Sequence, residues 1–386
     1  MATKILILSI GRYPHIGGKS THIDLLKQLL PLAGFEPTVL SLSSLSPLKR
    51  NLANAPRFWG NITVDFALRR YYLKQMLNKM YPLEEFPLVL LQDTPAFPLC
   101  DRPFILTLHG SAPDEYASLG TIKPESRAYE KLLAEEIAAL KSAQAIIAVD
   151  SNLKNQIISR ASLPESKVTI LPNTVDTTLF RPGTNKEQLK KEHGFLPEES
   201  LAIILRRLVP KNGVGYGIQA LALLGRPNVK LIIAGDGPER PTLKKLTKTL
   251  GLEKQVLFLG SVSRERATQL LQIADVAIVP SVPDHNVIEA TSISALEAMA
   301  TGLPVIASSI GGLSELFSCQ EGILVPPRNP EAIKTAWASI LDDPSQAQSL
   351  GQKALAKVKK EYANEPWLSK YTTIIGRVLK GDKIGL

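Results

Sequence analysis

The 386-residue chain is 44% hydrophobic and 21% charged, values of a folded globular protein that exclude a disordered or fibrous one. Its length suits two or three domains with cores large enough to need no disulfide or metal staples. The net charge of +9 favours anionic ligands or surfaces. It is shared nearly equally between the two halves, which argues against a nucleic-acid binder.

The first apolar stretch, Ile5 to Ile10, meets Arg12 at once and is too short for a signal peptide, so it reads as a strand. No apolar run reaches the roughly 18–20 residues that span a bilayer, and a cytoplasmic location is expected. The two cysteines, Cys100 and Cys319, lie far apart and form neither a disulfide framework nor a metal-ligand spacing. Further strands are predicted at Thr38 to Leu42, Leu88 to Leu91, Phe104 to Leu108, Ala145 to Val149 and Val168 to Leu171. The series restarts at Leu201 to Leu205, Lys230 to Ala234, Gln255 to Leu259, Asp275 to Val279, Pro304 to Ala307 and Gly322 to Val325. These short, continuously apolar runs suit parallel strands buried on both faces, with helical stretches between them. The expected fold class is α/β: two doubly wound, Rossmann-like domains facing each other across a cleft. Residues 1–182 form one domain and 183–365 the other, with Arg181 to Ser200 as the linker. A final helix over 366–386 packs back on the first domain through Trp367, Leu368, Tyr371, Ile374, Ile375 and Val378.

Five loops follow strands and could carry chemistry. The first runs from Gly11 to His22; Gly17 and Gly18 let the backbone approach a ligand at a helix N-terminus. Gly18-Lys19-Ser20 resembles the end of a P-loop, but that motif needs glycine where Tyr13 stands. A plain strand-to-helix turn fits the same residues. The second places His109 before Gly110, at a strand's carboxyl end. The third holds Arg206, Arg207 and Lys211; arginine forks and mobile lysines suit a diphosphate, although a basic solvated loop looks the same. The fourth, Gly235-Asp236-Gly237-Pro238, is read as a tight turn. The fifth takes Pro280-Ser281 and then Glu289 to Val305, with Glu289 in the loop and Glu297 expected in the first helical turn. The N–H groups of Thr291, Ser292 and Ile293 would face an anion flanked by two carboxylates, as in a nucleotide sugar. Ser294-x-x-Glu297 is equally a capping box that would engage Glu297 with backbone.

Glu289-x7-Glu297 with Ala298-Met299-Ala300-Thr301-Gly302-Leu303-Pro304-Val305 resembles the retaining glycosyltransferases of family 4, which have the GT-B fold. Gly17-Gly18-x3-His22, Leu171 to Asp176, Arg207 to Gly213, Ala234 to Pro238 and Glu321 to Pro327 match in the right order, nearly end to end. The resemblance implies transfer of a sugar from a nucleoside-diphosphate donor, UDP- or GDP-linked, to an acceptor hydroxyl with retention, in glycolipid, exopolysaccharide or other glycan synthesis. It implies that Arg207 and Lys211 bind the diphosphate, Glu289 the donor sugar and Glu297 the ribose. His109 would lie beside the reacting face, and Gly17 and Gly18 near phosphate and acceptor. The chain departs from the family pattern at Ala290-Thr291-Ser292, and at Asn212 where lysine is common. No Asp-x-Asp motif lies near these loops, so metal-independent transfer without a bound cofactor is expected. An epimerase or phosphorylase on the same fold, or a non-catalytic nucleotide-sugar-binding subunit, are the alternatives.

Residues 47–82 carry seven basic side chains against Asp65 alone, interleaved with aromatic residues and methionines. Such a stretch could lie on an anionic membrane and suit a lipid-linked acceptor, or form a core-packed helix with a solvated basic face.

Overall fold

A computed structural model describes residues 2–14, 18–55, 62–284, 289–317 and 320–381. Gly17, Arg57, Phe58, Trp59 and Cys319 fall outside these ranges. Among the described residues twelve strands form two six-stranded parallel sheets. The first contains β1 (Thr3–Leu8), β2 (Phe35–Leu40), β3 (Leu88–Leu91), β4 (Phe104–Leu108), β5 (Ala145–Ala148) and β6 (Val168–Ile170). The second contains β7 (Ser200–Leu205), β8 (Val229–Ala234), β9 (Val256–Gly260), β10 (Val276–Val279), β11 (Val305–Ser308) and β12 (Ile323–Val325). Every expected strand is present, with ends displaced by a few residues.

The strand orders are β2-β1-β3-β4-β5-β6 and β12-β11-β10-β7-β8-β9. Each sheet grows outward from its first strand and then reverses to that strand's other side. The reversals lie between β1 and β3 and between β7 and β10, where loops diverge and leave a crevice for ligands. Successive residues feed opposite faces of each sheet. Ile5 and Ile7 enter one core while Leu6 and Leu8 enter the other. Leu201 and Ile203 likewise alternate with Ala202 and Ile204. Burial on both faces explains why the strands read as unbroken apolar runs.

The chain divides into two units: Met1–Pro172 with His285–Ala290 and Trp367–Leu386, and Asn173–Asp284 with Thr291–Pro366. The first division falls at 172/173, where the sequence suggests 182. The reason is local. Asn173 Nδ2 donates to the Thr291 carbonyl (2.9 Å), Val175 N to the Tyr362 carbonyl (3.0 Å), and Phe180 is fully buried in the second unit's core. The expected linker contains a helix, Lys186–Glu192, held by Lys186 Nζ on Asp275 (2.6 Å) and by buried Lys190. The last helix, Asn364–Leu379, belongs to the first unit from Trp367 onward. There Trp367 Nε1 donates to the Pro172 carbonyl (3.0 Å), and the Tyr371 hydroxyl lies 3.2 Å from Thr107 Oγ1.

The basic stretch forms two helices, Pro47–Asn54 and Ile62–Met80, and its charges do not make one face. Arg69 is buried, bound to Asp65 and to Asn54 Oδ1 (3.0 Å). Arg70 forks onto Glu135 and donates to the Pro95 carbonyl (2.7 Å). Both arginines therefore hold the unit together, whereas Lys49 and Lys79 are exposed.

In the second unit glycines allow loops at the carboxyl ends of the strands to touch. Gly235 has φ +146°, and a Cβ there would stand 1.9 Å from the Arg206 carbonyl oxygen. Gly235→Ala should therefore destabilise the second unit by more than about 2 kcal/mol, combining backbone strain with a steric clash. Urea unfolding checks this; a change within about 0.5 kcal/mol, typical of a neutral surface site, contradicts the close approach.

Candidate active site

The second unit's loops form a layered support. Arg206 and Arg207 leave the end of β7, and a short turn, Pro210–Asn212, ends at Gly213 with φ +60°. On one side, Leu208 N donates to the Asp236 carbonyl (3.0 Å) and Glu239 N to the Leu208 carbonyl (3.1 Å). On the other, Val282 N donates to the Lys211 carbonyl (2.8 Å). Asn212 is buried and its Nδ2 donates to the Arg207 carbonyl (2.7 Å). The side chains presented by this frame are Arg207, exposed, and Lys211, partly exposed. The Gly235–Pro238 turn fits its structural reading. Asp236 accepts from Gly237 N (2.8 Å) and Arg240 (3.0 Å), which fixes the turn.

Beyond β10 the chain returns to the helix Ile293–Ala300. Ser292 is its N-cap by backbone geometry, with Thr291 and Ser292 both buried. The capping box does not form. The helix begins before Ser294, whose hydroxyl instead lies 3.2 Å from that of Ser292. Glu297 is thus the fifth helical residue, in the second turn rather than the first, and has no capping role. Burial pushes its carboxyl up to about 7, opposed by Arg264. A helix N-terminus leaves its first-turn N–H groups without intrahelical partners and favours an anion. Arg207, Lys211 and this N-terminus all stand at the β7/β10 reversal. Glu289 and Ala290 group with the first unit, where Ala290 rests against the core. A cavity of about 330 Å³ beside the Arg207 loop is lined by Pro210, Tyr216, Glu239, Asp284 and Arg328 among others. Burial and nearby Asp284 raise the Glu239 carboxyl.

In the first unit, Gly18 begins the helix Gly18–Leu29, and His109 follows β4 as expected. The surrounding cluster includes residues beyond those singled out from the sequence. Lys19 Nζ donates to Asp93 Oδ2 (2.8 Å), which also accepts from Ser9 Oγ (2.5 Å), while Ile10 N donates to Asp93 Oδ1 (3.1 Å). Burial works against the charged form of Asp93, but Lys19 and these hydrogen bonds hold its carboxyl below the ordinary range. His22 and His109 meet edge to face with centroids 4.8 Å apart, and the Nε2 atom of each is buried without a partner among the described residues. Burial, with Lys19 nearby, lowers His109 to about 3, so it is neutral near pH 7. Asp93 carried the signal that singled out His109, a polar residue just past a strand's carboxyl end. Arg206 and Ser281 carried it too, beyond β7 and β10. Among the described residues no group of three or more His, Cys, Asp or Glu side chains could hold a metal.

The Glycosyltransferase Family 4 model matches residues 16–179, and the Glycosyl transferases group 1 model matches residues 185–357. The chain belongs to the GT-B-fold glycosyltransferases. Sucrose-phosphate synthase from Thermosynechococcus elongatus superposes with a TM-score of 0.79 over 98% of this chain and 100% of that one, at 20% identity. HepE from Anabaena, in complex with UDP and glucose, gives 0.73 over 97% and 99%, at 19% identity. An uncharacterized glycosyltransferase of Methanocaldococcus jannaschii is 32% identical over 64% of this chain and 62% of its own length. N-acetyl-alpha-D-glucosaminyl L-malate synthase of Bacillus anthracis is 28% identical over 64% and 63%. These two alignments thus span less than two-thirds of each relative's length.

The carboxyl of Glu297 supplies a test of its surroundings. Its folded value of about 7 exceeds the ordinary 4.5, so folding favours the protonated form. That contribution is complete below about pH 4.5 and lost as pH rises through about 7. Glu297→Gln should therefore gain stability relative to the parent protein at pH 8 and lose that advantage toward pH 4.5. Urea unfolding at both pH values measures the difference; one independent of pH would contradict a desolvated carboxyl.

Proposed function

We propose that the protein transfers a glycosyl group from a nucleoside-diphosphate sugar to an acceptor hydroxyl, with retention of anomeric configuration and no required metal ion. The observation that carries this reading is the convergence at one sheet reversal of two basic side chains and the N-terminus of the helix Ile293–Ala300. Breaking the bond from the anomeric carbon to the diphosphate builds negative charge on the leaving group. Arg207 and Lys211 meet that charge on a loop fixed by backbone hydrogen bonds, so little reorganisation accompanies the reaction. The N–H groups around Thr291, Ser292 and Ile293 add fixed positive dipole ends. Glu297 accepts the ribose hydroxyls and Glu289 binds the donor sugar.

His109, with Gly17 and Gly18, serves the reacting face from the first unit. Its low proton affinity suits a neutral hydrogen-bonding group rather than a cation. Retention proceeds on the front face, the departing phosphate taking the acceptor's proton. UDP in the HepE complex supports a nucleoside-diphosphate donor, and the malate synthase and the phosphatidylinositol mannosyltransferases among the relatives show how varied acceptors are.

In a thermal-shift screen, at least one of UDP, GDP and ADP should raise the melting temperature, and Arg207→Ala should remove the shift. With the matching donor and acceptor, Arg207→Ala should cut turnover by about 10²–10³, and EDTA should leave it unchanged. Failure of all three nucleotides to stabilise the parent protein would overturn the assignment.

A peripheral contact with an anionic membrane would bring the enzyme to a lipid-linked acceptor. Arg69 and Arg70 are engaged internally, so the contact falls to Lys49 and Lys79, with exposed Leu48, Leu52 and Met80 beside them. Vesicles containing phosphatidylserine should float with the parent protein and release the Lys49→Glu, Lys79→Glu variant. Equal flotation of both removes this contact.

A further inference from the structure

Arg206 is partly buried at the junction of the three strand-end loops. Its Nη1 donates to Ser281 Oγ (2.8 Å), beyond β10, and its Nη2 donates to Asn212 Oδ1 (2.8 Å), within its own loop. Asn212 in turn donates through Nδ2 to the Arg207 carbonyl (2.7 Å). One planar guanidinium thus spans the β7/β10 reversal and orients the amide that clamps the backbone of Arg207. The backbone bond from Val282 N to the Lys211 carbonyl closes the same ring of contacts. Lysine cannot substitute, because a single ammonium lacks the rigid fork that reaches two acceptors in different directions.

We propose that Arg206 is a positioning residue for the donor diphosphate: through Asn212 and Ser281 it sets the loop that presents Arg207 and Lys211. This rests on the reading that Arg207 and Lys211 grip a diphosphate. The role differs from general support of the fold because it reaches the ligand mainly through Arg207, whose carbonyl Asn212 holds, while the Lys211 carbonyl is held separately by Val282 N. Removing Arg207 should remove most of what Arg206 contributes to binding, whereas a purely structural cross-link would leave the two effects independent.

The test is calorimetric titration of the full-length protein with UDP, GDP and ADP, together with thermal melting of every variant. Arg206→Ala and Arg206→Lys should each weaken binding of the preferred nucleotide about tenfold, and Asn212→Ala should do the same. Adding Arg206→Ala to Arg207→Ala should weaken it by less than about twofold further. Ser281→Ala, which deletes one hydroxyl, should give a smaller loss in the same direction and keeps the test decisive if Arg206→Ala does not fold. Full rescue by lysine, additive losses in the double variant, or lowered melting temperatures with unchanged affinity would each overturn the positioning role. If the parent protein binds none of the three nucleotides, the diphosphate reading itself falls. If it binds one and only the Arg206, Asn212 and Ser281 variants behave as the parent, this inference alone falls.

Discussion

The second unit depends on backbone approaching backbone at the carboxyl ends of β7, β8 and β10. A Cβ at Gly213 would stand 2.0 Å from the Pro280 carbonyl oxygen, and one at Gly237 would stand 2.3 Å from that of Leu208. No side chain fits into such gaps, so glycine is the condition for stacking three loops without a spacer. The result is a short, rigid segment whose main chain is held from both sides while Arg207 and Lys211 face outward. Preorganised charge stabilises a developing anion because its orientation is already set. The tight loop packing and the proposed chemistry thus express one constraint.

The first unit solves a different electrostatic problem. Its polar groups lie deep beside a sheet, where desolvation opposes charge. Lys19 and Asp93 remain ionised by pairing, with Ser9 and the Ile10 amide completing the carboxylate's hydrogen bonds. Burial instead keeps His22 and His109 neutral. A cation already neutralised by Asp93 is a weak phosphate ligand. The imidazole Nε2 atoms of His22 and His109, unpartnered among the described residues, are suited to hydroxyl groups. On the proposed reading the diphosphate's charge falls to the second unit, with Glu297 there for ribose hydroxyls, and the first unit contributes neutral imidazoles.

All the strands were legible because burial on both faces writes an uninterrupted apolar run, a strong local signal. The unit division was less legible. Arg181 to Ser200 has a linker's composition, yet Lys186 and buried Lys190 place their ammonium groups 2.6 and 3.4 Å from the Asp275 carboxylate and so pack the segment onto the second unit. The cations of the Arg207 loop were visible from residue type and position after a strand. Asn212 departs from the family pattern, and in the structure it is a buried link to Arg206. Pairings across 75 residues, such as Arg206 with Ser281, leave no mark in local spacing. The same limit applies to the basic stretch, since Arg70 finds Glu135 only after folding.

Glu297 shows how a local motif can mislead and then become informative. Ser294-x-x-Glu297 has the spacing of a capping box, but the helix starts at Ile293 because Ser292 adopts the extended N-cap conformation. The anchor lies far away in sequence: Asn173 holds the Thr291 carbonyl and so places the turn before the helix. Freed from the cap, the Glu297 carboxyl is left in an environment that disfavours its charge, with Arg264 as the opposing influence. A carboxyl that gains by accepting hydrogen bonds from incoming hydroxyls has a reason to remain there despite that cost. Long-range placement of a helix start thereby converts a capping pattern into a candidate ribose acceptor.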